Sequence, residues 1–252
     1  MQILLANAKI MYEQAARTPL STPLFQTVAN RLAAEMAQLD ANELARQLDC
    51  SPKLAAENWR RYQQFHEAEP MPALLAYNGQ AYKHLRAASL SDEALRYGQQ
   101  HLWITCFLYG LLRPMDAIVP YRMEHCVCLP MTGSKPVNQF WKDKLTDVLI
   151  RSVKEDDGIL VHLSTEEYEH LFDWKRVTSE VQVIHPLFYV QQADGRLKMQ
   201  AVWAKSCRGA MVRYILKHQL SSIDQLQSFS YEGFTYSPRH GETAYPHFIR
   251  AN

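Results

Sequence analysis

Gly110, Pro114 and Pro120 fall within one short stretch, Leu108-Tyr109-Gly110-Leu111-Leu112-Arg113-Pro114-Met115-Asp116, then Ala117-Ile118-Val119, then Pro120-Tyr121-Arg122-Met123-Glu124. Together they leave the backbone few conformations. Glycine admits geometry that a side chain forbids, and proline has no amide proton. Each proline also disfavours helix in the residue before it, which pushes Arg113 and Val119 toward extended geometry. The segment predicts a sharply shaped turn presenting Arg113 and Arg122 from a fixed frame, as paired-donor binding of phosphate or carboxylate requires. The same residues equally fit a buried turn in which these arginines pair with Asp116 and Glu124 and hold the fold.

A chain of 252 residues is long enough to bury a large core. Its 27 Lys and Arg against 26 Asp and Glu leave a net charge of +1, so anion binding must come from local patches and not from a global field. The longest apolar run, Ile104 to Leu112, is far short of the roughly 20 residues that cross a bilayer, and no charged segment precedes an apolar stretch at the N-terminus. A cytoplasmic protein with no membrane partner is expected. Cysteines at 50, 106, 126, 128 and 207 are odd in number, which favours reduced thiols over a disulfide framework.

Gln2–Ala6 reads as an apolar strand with Lys9 just past its end, a position where mixed α/β proteins carry ligands. Helical spacing recurs from Thr22 to about Leu39 and from Pro52 to His66, the second opened by Ser51-Pro52 as cap and first turn. Ser91-Asp92-Glu93 predicts another helix to Gln100. Trp103–Phe107 is β-prone, and an amphipathic stretch runs from Asn138 to Ser152. Gly158–Leu163 has the continuous apolar character of a buried strand, with a helix beginning in Ser164–Tyr168. Val181–Val190 and Leu197–Trp203 resemble two strands of a hairpin, followed by a helix over Ala204–Leu220 and strands in Phe229–Tyr236 and around Phe248. No repeat, low-complexity tract or linker divides the chain. The expectation is one α+β domain over 1–252, a mixed sheet surrounded by helices.

A second basic segment is Lys205-Ser206-Cys207-Arg208-Gly209-Ala210-Met211-Val212-Arg213. On a helix, Lys205 and Arg208 share a face while Arg213 points to the side. A helix starting near Ala204 would add its first-turn amides and dipole to that positive spot, although a solvated basic face accounts for the same charges. His125-Cys126-Val127-Cys128 offers metal-ligand types at strand spacing, but no second Cys/His cluster completes a tetrahedral site, and no metal or cofactor is expected. Gly-x-Ser-x-Gly, Walker and Gly-x-Gly-x-x-Gly patterns are all absent.

Taken together, these elements carry a resemblance along nearly the whole chain. They are the first strand with Lys9, Tyr77-Asn78-Gly79 with Tyr82, the Leu108 to Asp116 turn, Pro120-Tyr121-Arg122-x-Glu124, Phe140-Trp141, Glu167-Tyr168, Ala204-Lys205-x-x-Arg208-Gly209-x-Met211-x-Arg213 and Glu232-Gly233-Phe234. The chain resembles the YaaA peroxide-stress-response family of bacterial cytoplasmic proteins. That resemblance implies protection from hydrogen peroxide linked to lower free iron, a compact α/β fold able to bind duplex DNA, a positively charged cleft and a helix-hairpin-helix element. In such an element a glycine-containing hairpin brings backbone amides to a phosphate oxygen, and Leu108-Tyr109-Gly110-Leu111 is the local candidate. The chain departs from the family where Ala6-Asn7-Ala8-Lys9-Ile10 replaces Ser-Pro-Ala-Lys-Thr, and where Ser164-Thr165 replaces Ala-Ser. The lysine remains, but hydroxyl groups after the first strand are lost.

Two functions follow as expectations. The first is a DNA-binding protective protein contacting phosphates through Lys9, Tyr109, Gly110, Arg113, Arg122, Lys205, Arg208 and Arg213, with strong salt dependence and little sequence specificity. The second is an enzyme acting on a small anionic or nucleotide-like substrate in the same cleft, with Tyr121, Glu124 and Lys205 as its acid/base set. Thiol chemistry at Cys207, between Lys205 and Arg208, is a further candidate.

Overall fold

The computed structural model describes residues 1–251. Gln2–Ala6 forms β1, its side chains buried on both faces as its unbroken apolar run predicts. The chain then builds helices α1 (Gln26–Gln38), α2 (Ala41–Gln47) and α3 (Pro52–Gln63), the short β2 (Met71–Pro72), and helices α4 (Ala73–Ala76), α5 (Gln80–Leu85) and α6 (Asp92–His101). Strands β3 (Leu102–Cys106), β4 (Gly110–Leu112) and β5 (Ala117–Ile118) follow, then the long helix α7 (Val137–Asp156) and β6 (Ile159–Leu163). The remainder is α8 (Glu166–Glu169), α9 (Trp174–Glu180), β7 (Gln182–Ile184), β8 (Leu187–Gln191), β9 (Leu197–Lys198), α10 (Ala201–His218) and strands β10 (Ser230–Tyr231), β11 (Phe234–Glu242) and β12 (Tyr245–Ala251). The expected α+β class is the observed one.

Helix starts follow the capping residues. Ser51 and Ser91 accept hydrogen bonds from the Leu54 and Ala94 amides, and Asp40 accepts two, from Asn42 and Glu43, opening α2. That helix has no counterpart among the sequence expectations.

Two five-stranded sheets organise the molecule, in the orders β4-β3-β1-β6-β7 and β10-β11-β12-β8-β9. In the first, β1 runs parallel to β3 and β6, and β6 parallel to β7, while β4 turns back against β3. In the second, β12 runs parallel to β8 within an otherwise antiparallel ladder. Helix α10 packs on β1 and β6 of one sheet and β8 of the other, and on α5 and α6. Such a position demands an apolar surface nearly all round, and Ala204, Cys207, Ala210, Met211, Val212, Ile215 and Leu216 supply it. A continuous core joins Ile3 and Leu5 of the first sheet to Phe188, Phe234 and Phe248 of the second. No helix among the described residues is long and apolar enough to cross a membrane.

Three expectations are corrected. Leu108–Leu111 is no helix-hairpin-helix. Phe107-Leu108-Tyr109 form a three-residue turn between antiparallel β3 and β4, with Gly110 at φ +72° closing it. The turn is buried, and the Trp141 indole N–H donates to the Phe107 carbonyl at 2.7 Å, so its backbone faces the core and not a phosphate. Leu197–Trp203 stops being a strand at Lys198, because α10 starts at Ala201 and takes Trp203 into its first turn. The helix start at Ala201 also moves its free amides a turn away from Lys205 and Arg208.

Candidate functional site

The order of the first sheet reverses at β1: β3 and β4 extend it to one side, β6 and β7 to the other. Strand ends at such a reversal splay apart, and the crevice beyond their carboxyl ends is where open α/β sheets hold ligands. Here that crevice is a cavity of about 320 Å³ lined by the ends of β1 and β6, by Asn7–Ile10, by Gly79–Tyr82 at the start of α5, by Thr165, Glu167 and Tyr168, and by Lys205 and Arg208 of α10.

Its walls are fixed by close packing and hydrogen bonds. A Cβ at Gly79 would stand 2.6 Å from that of Ala8, so glycine is what lets the loop after β1 reach α5. The Gln80 amide donates to Ser206 Oγ at 2.8 Å and ties α5 to α10, and the Tyr82 hydroxyl donates to the Ala6 carbonyl at 3.0 Å. Behind the cavity, Tyr168 donates to Asn7 Oδ1, Asn7 Nδ2 donates to the Tyr121 hydroxyl, and Tyr121 bonds Tyr77 at 2.8 Å. Burial pushes the Tyr77, Tyr82, Tyr121 and Tyr168 phenols well above their ordinary range. They are neutral hydrogen-bonding walls and poor proton donors.

Of the expected phosphate contacts, the structure brings Lys9, Lys205 and Arg208 to this one cavity. Lys205 is exposed at the rim. Arg208 is largely shielded and takes part in no ion pair among the described residues; desolvation alone pulls its pKa down. Lys9 Nζ reaches Glu124 Oε2 at 2.7 Å, and Arg122 Nη2 reaches Glu124 Oε1 at 2.7 Å, so a buried carboxylate holds both. Arg122 therefore stands behind the cavity and Lys9 on its edge.

Arg113 goes elsewhere. Strand β4 runs back along β3, so its last residues reach the amino end of the sheet. There the Arg113 guanidinium stacks 3.3 Å over the Trp103 ring and donates to Gln2 Oε1, the Leu102 carbonyl and Ser152 Oγ. The Arg113 backbone N–H donates to Asp116 Oδ2 at 2.7 Å. Arg213 donates to the carbonyls of Leu85 and Arg86 and to Ser89 Oγ, satisfying the C-terminal end of α5. Tyr109 is buried against Phe65 and Tyr121, and Gly110 lies against Trp141 and Leu145.

The acid/base set does not assemble either, since Tyr121 and Glu124 lie behind the cavity that Lys205 borders. Cys207 is fully buried and its thiol is pushed up to about 12 by that burial, which overturns the expected stabilised thiolate. Glu124, His125 and Glu167 come within 4.8 Å of one another, but the Glu124 oxygens are already neutralised by Lys9 and Arg122. The Cys126 thiol donates to the Gln47 carbonyl and the Cys128 thiol to the Cys126 carbonyl. Asn7 and Gln80, which shape the site, were not among the expected site residues. Asn7 had one available signal, its place directly after the β1 strand.

Residues 1–240 match the family described as peroxide stress protein YaaA. A UPF0246 protein of Bacteroides fragilis is 45% identical over 94% of this chain and 93% of its own length. A UPF0246 protein of Porphyromonas gingivalis is 41% identical over 94% and 95%, and one of Rickettsia felis is 30% identical over 99% and 100%. Family match and relatives both span nearly the whole fold that frames the cavity, and the chain belongs to the peroxide stress protein YaaA family.

Proposed function

We propose that this peroxide-stress protein acts by binding the phosphate backbone of duplex DNA at the cleft framed by Lys9, Lys205 and Arg208, and thereby helps limit oxidative damage and free iron. The observation that carries the reading is Arg208. A shielded guanidinium facing a cavity without an ion-pair partner is a costly arrangement that an anion relieves. Lys205 lies one turn before it on the same face, and Lys9 stands across the cavity mouth. Contacts of this kind read the backbone and not the bases, so the binding is salt-dependent and tolerant of sequence.

Anisotropy of a short labelled duplex at several salt concentrations tests this. The wild-type protein is expected to bind at low salt and to lose affinity steeply as salt rises. Lys205→Ala/Arg208→Ala is expected to weaken binding at least about tenfold and to flatten the salt slope by about 2. Absence of binding by the wild type at low salt overturns the proposal.

The size of the cavity, about 320 Å³, favours a second reading, an enzyme acting on a small anionic or nucleotide-like substrate. On that reading Lys205 and Arg208 hold the anion, and Glu167 on the wall is the carboxylate placed to move a proton. Glu167→Gln would then abolish turnover and leave duplex binding intact.

A further inference from the structure

A second group of chemistry-bearing side chains lies at the carboxyl ends of β6 and β7. His162 is the fourth residue of β6, Glu169 is the last of α8, and His185 directly follows β7. Parallel pairing of β6 with β7 places the two histidines on neighbouring strands near the carboxyl edge of the sheet. One ligand atom from each of the three residues lies within 4.8 Å of the others, and His162 Nε2 stands 3.5 Å from Glu169 Oε1.

We propose that His162, Glu169 and His185 form a binding site for a divalent first-row transition-metal ion. The donor chemistry fits. Two imidazoles and one carboxylate, with remaining positions open, are the protein ligands of hydrolytic zinc centres and of non-haem Fe(II) centres.

The state of His162 is the independent observation. This side chain is 5% exposed, and its Nε2 is fully buried with no hydrogen-bond partner among the described residues. A buried ring nitrogen left this way is costly, and native folds rarely keep one without a use for it. The His185 ring packs beside it, the two ring centroids 4.4 Å apart.

The surroundings match a metal centre. Trp174 packs its ring edge-on against both imidazoles at 4.9 and 6.1 Å, and Tyr245 stacks on His185 at 5.3 Å. These aromatic walls fix the rings and lower the local dielectric, while half-buried Glu169 and His185 leave a way in from solvent. Arg208 is the one nearby cation acting on both histidines, and the Glu169 carboxylate offsets it.

The test uses the full-length protein after chelator treatment, titrated with Co2+, with Zn2+ as competitor. The expected result is a visible Co2+ ligand-field spectrum that saturates at one ion per chain and is displaced by Zn2+, together with a rise in Tm. His185→Ala and Glu169→Gln alter half-buried groups and should remain folded by circular dichroism. Each is expected to weaken Co2+ binding at least about tenfold and to remove the Tm rise. Arg208→Ala should tighten Co2+ binding several-fold while weakening duplex binding, which separates this site from the proposed anion cleft. No Co2+ spectrum and no Tm rise in the wild type would overturn the proposal. So would binding undiminished in both His185→Ala and Glu169→Gln but lost in Glu167→Gln, which would move the ion to the cluster around Glu124.

Discussion

Arg113 and Arg122 look equivalent in the sequence, two arginines in one proline-rich turn, yet they end at opposite edges of a sheet. The reason is the return of β4: Gly110 closes the hairpin at the carboxyl edge, and three strand residues carry the chain back to the amino edge before Pro114 turns it again. Only Arg122 comes back toward the cavity, and there Glu124 claims it. The alternative of a buried turn whose arginines pair with Asp116 and Glu124 describes Arg122, which meets Glu124, while Arg113 serves the fold through other partners and gives Asp116 only its backbone N–H. Arg113→Ala is expected to destabilise the protein by about 2 kcal/mol, through loss of the stack on Trp103 and of three hydrogen bonds, with Arg113→Lys recovering only part. Urea unfolding measures this, and duplex affinity of the folded variant should stay at the wild-type value. Cysteines sort in the same way by burial. In the native protein iodoacetamide should label exposed Cys126 first, while Cys106 and Cys207, whose thiols burial holds at about 11 and about 12, react only after unfolding; peptide mass spectrometry reads the order.

Elements were most legible where local chemistry decides them. Serine caps with proline or acidic first turns gave the starts of α3 and α6, and unbroken apolar runs gave β1 and β6. Between Val181 and Trp203 the expected hairpin forms, as β8 paired antiparallel with β9, but the strand bounds differ because apolar residues there serve three different partners. Pro186 separates β7, in one sheet, from β8, in the other, and Val202-Trp203 belongs to a helix whose apolar surface has no single face for periodicity to detect. The basic stretch in that helix was visible as charge, but which charges face the cavity depends on how α10 meets α5. That crossing rests on Gly209: a Cβ there would fall inside the van der Waals shell of the Ala81 carbonyl. Gly209→Ala is expected to cost about 3 kcal/mol by forcing the two helices apart. A lower urea midpoint with an unchanged slope would confirm it, and a midpoint within error of wild type would contradict it.

At the scale of the whole molecule, the α+β class was readable and the division into two sheets was not, because the pairing of β12 with β8 joins segments that nothing local links. Neither was the position of the cavity beyond β1 and β6, which depends on strand order, nor the histidine pair, which unites residues from two strands and a short helix. The central place of β1 also bears on how the protein comes to be folded. Leu4 finds one neighbour at Trp103 and the other at His162, so β1 is synthesised well before either strand that encloses it. Until β6 has been synthesised, β1 keeps an apolar edge with unpaired amides, the kind of edge that invites pairing with another chain. Loops this long are slow to close. During synthesis the segment that later forms one wall of the cavity is therefore in need of protection by chaperones.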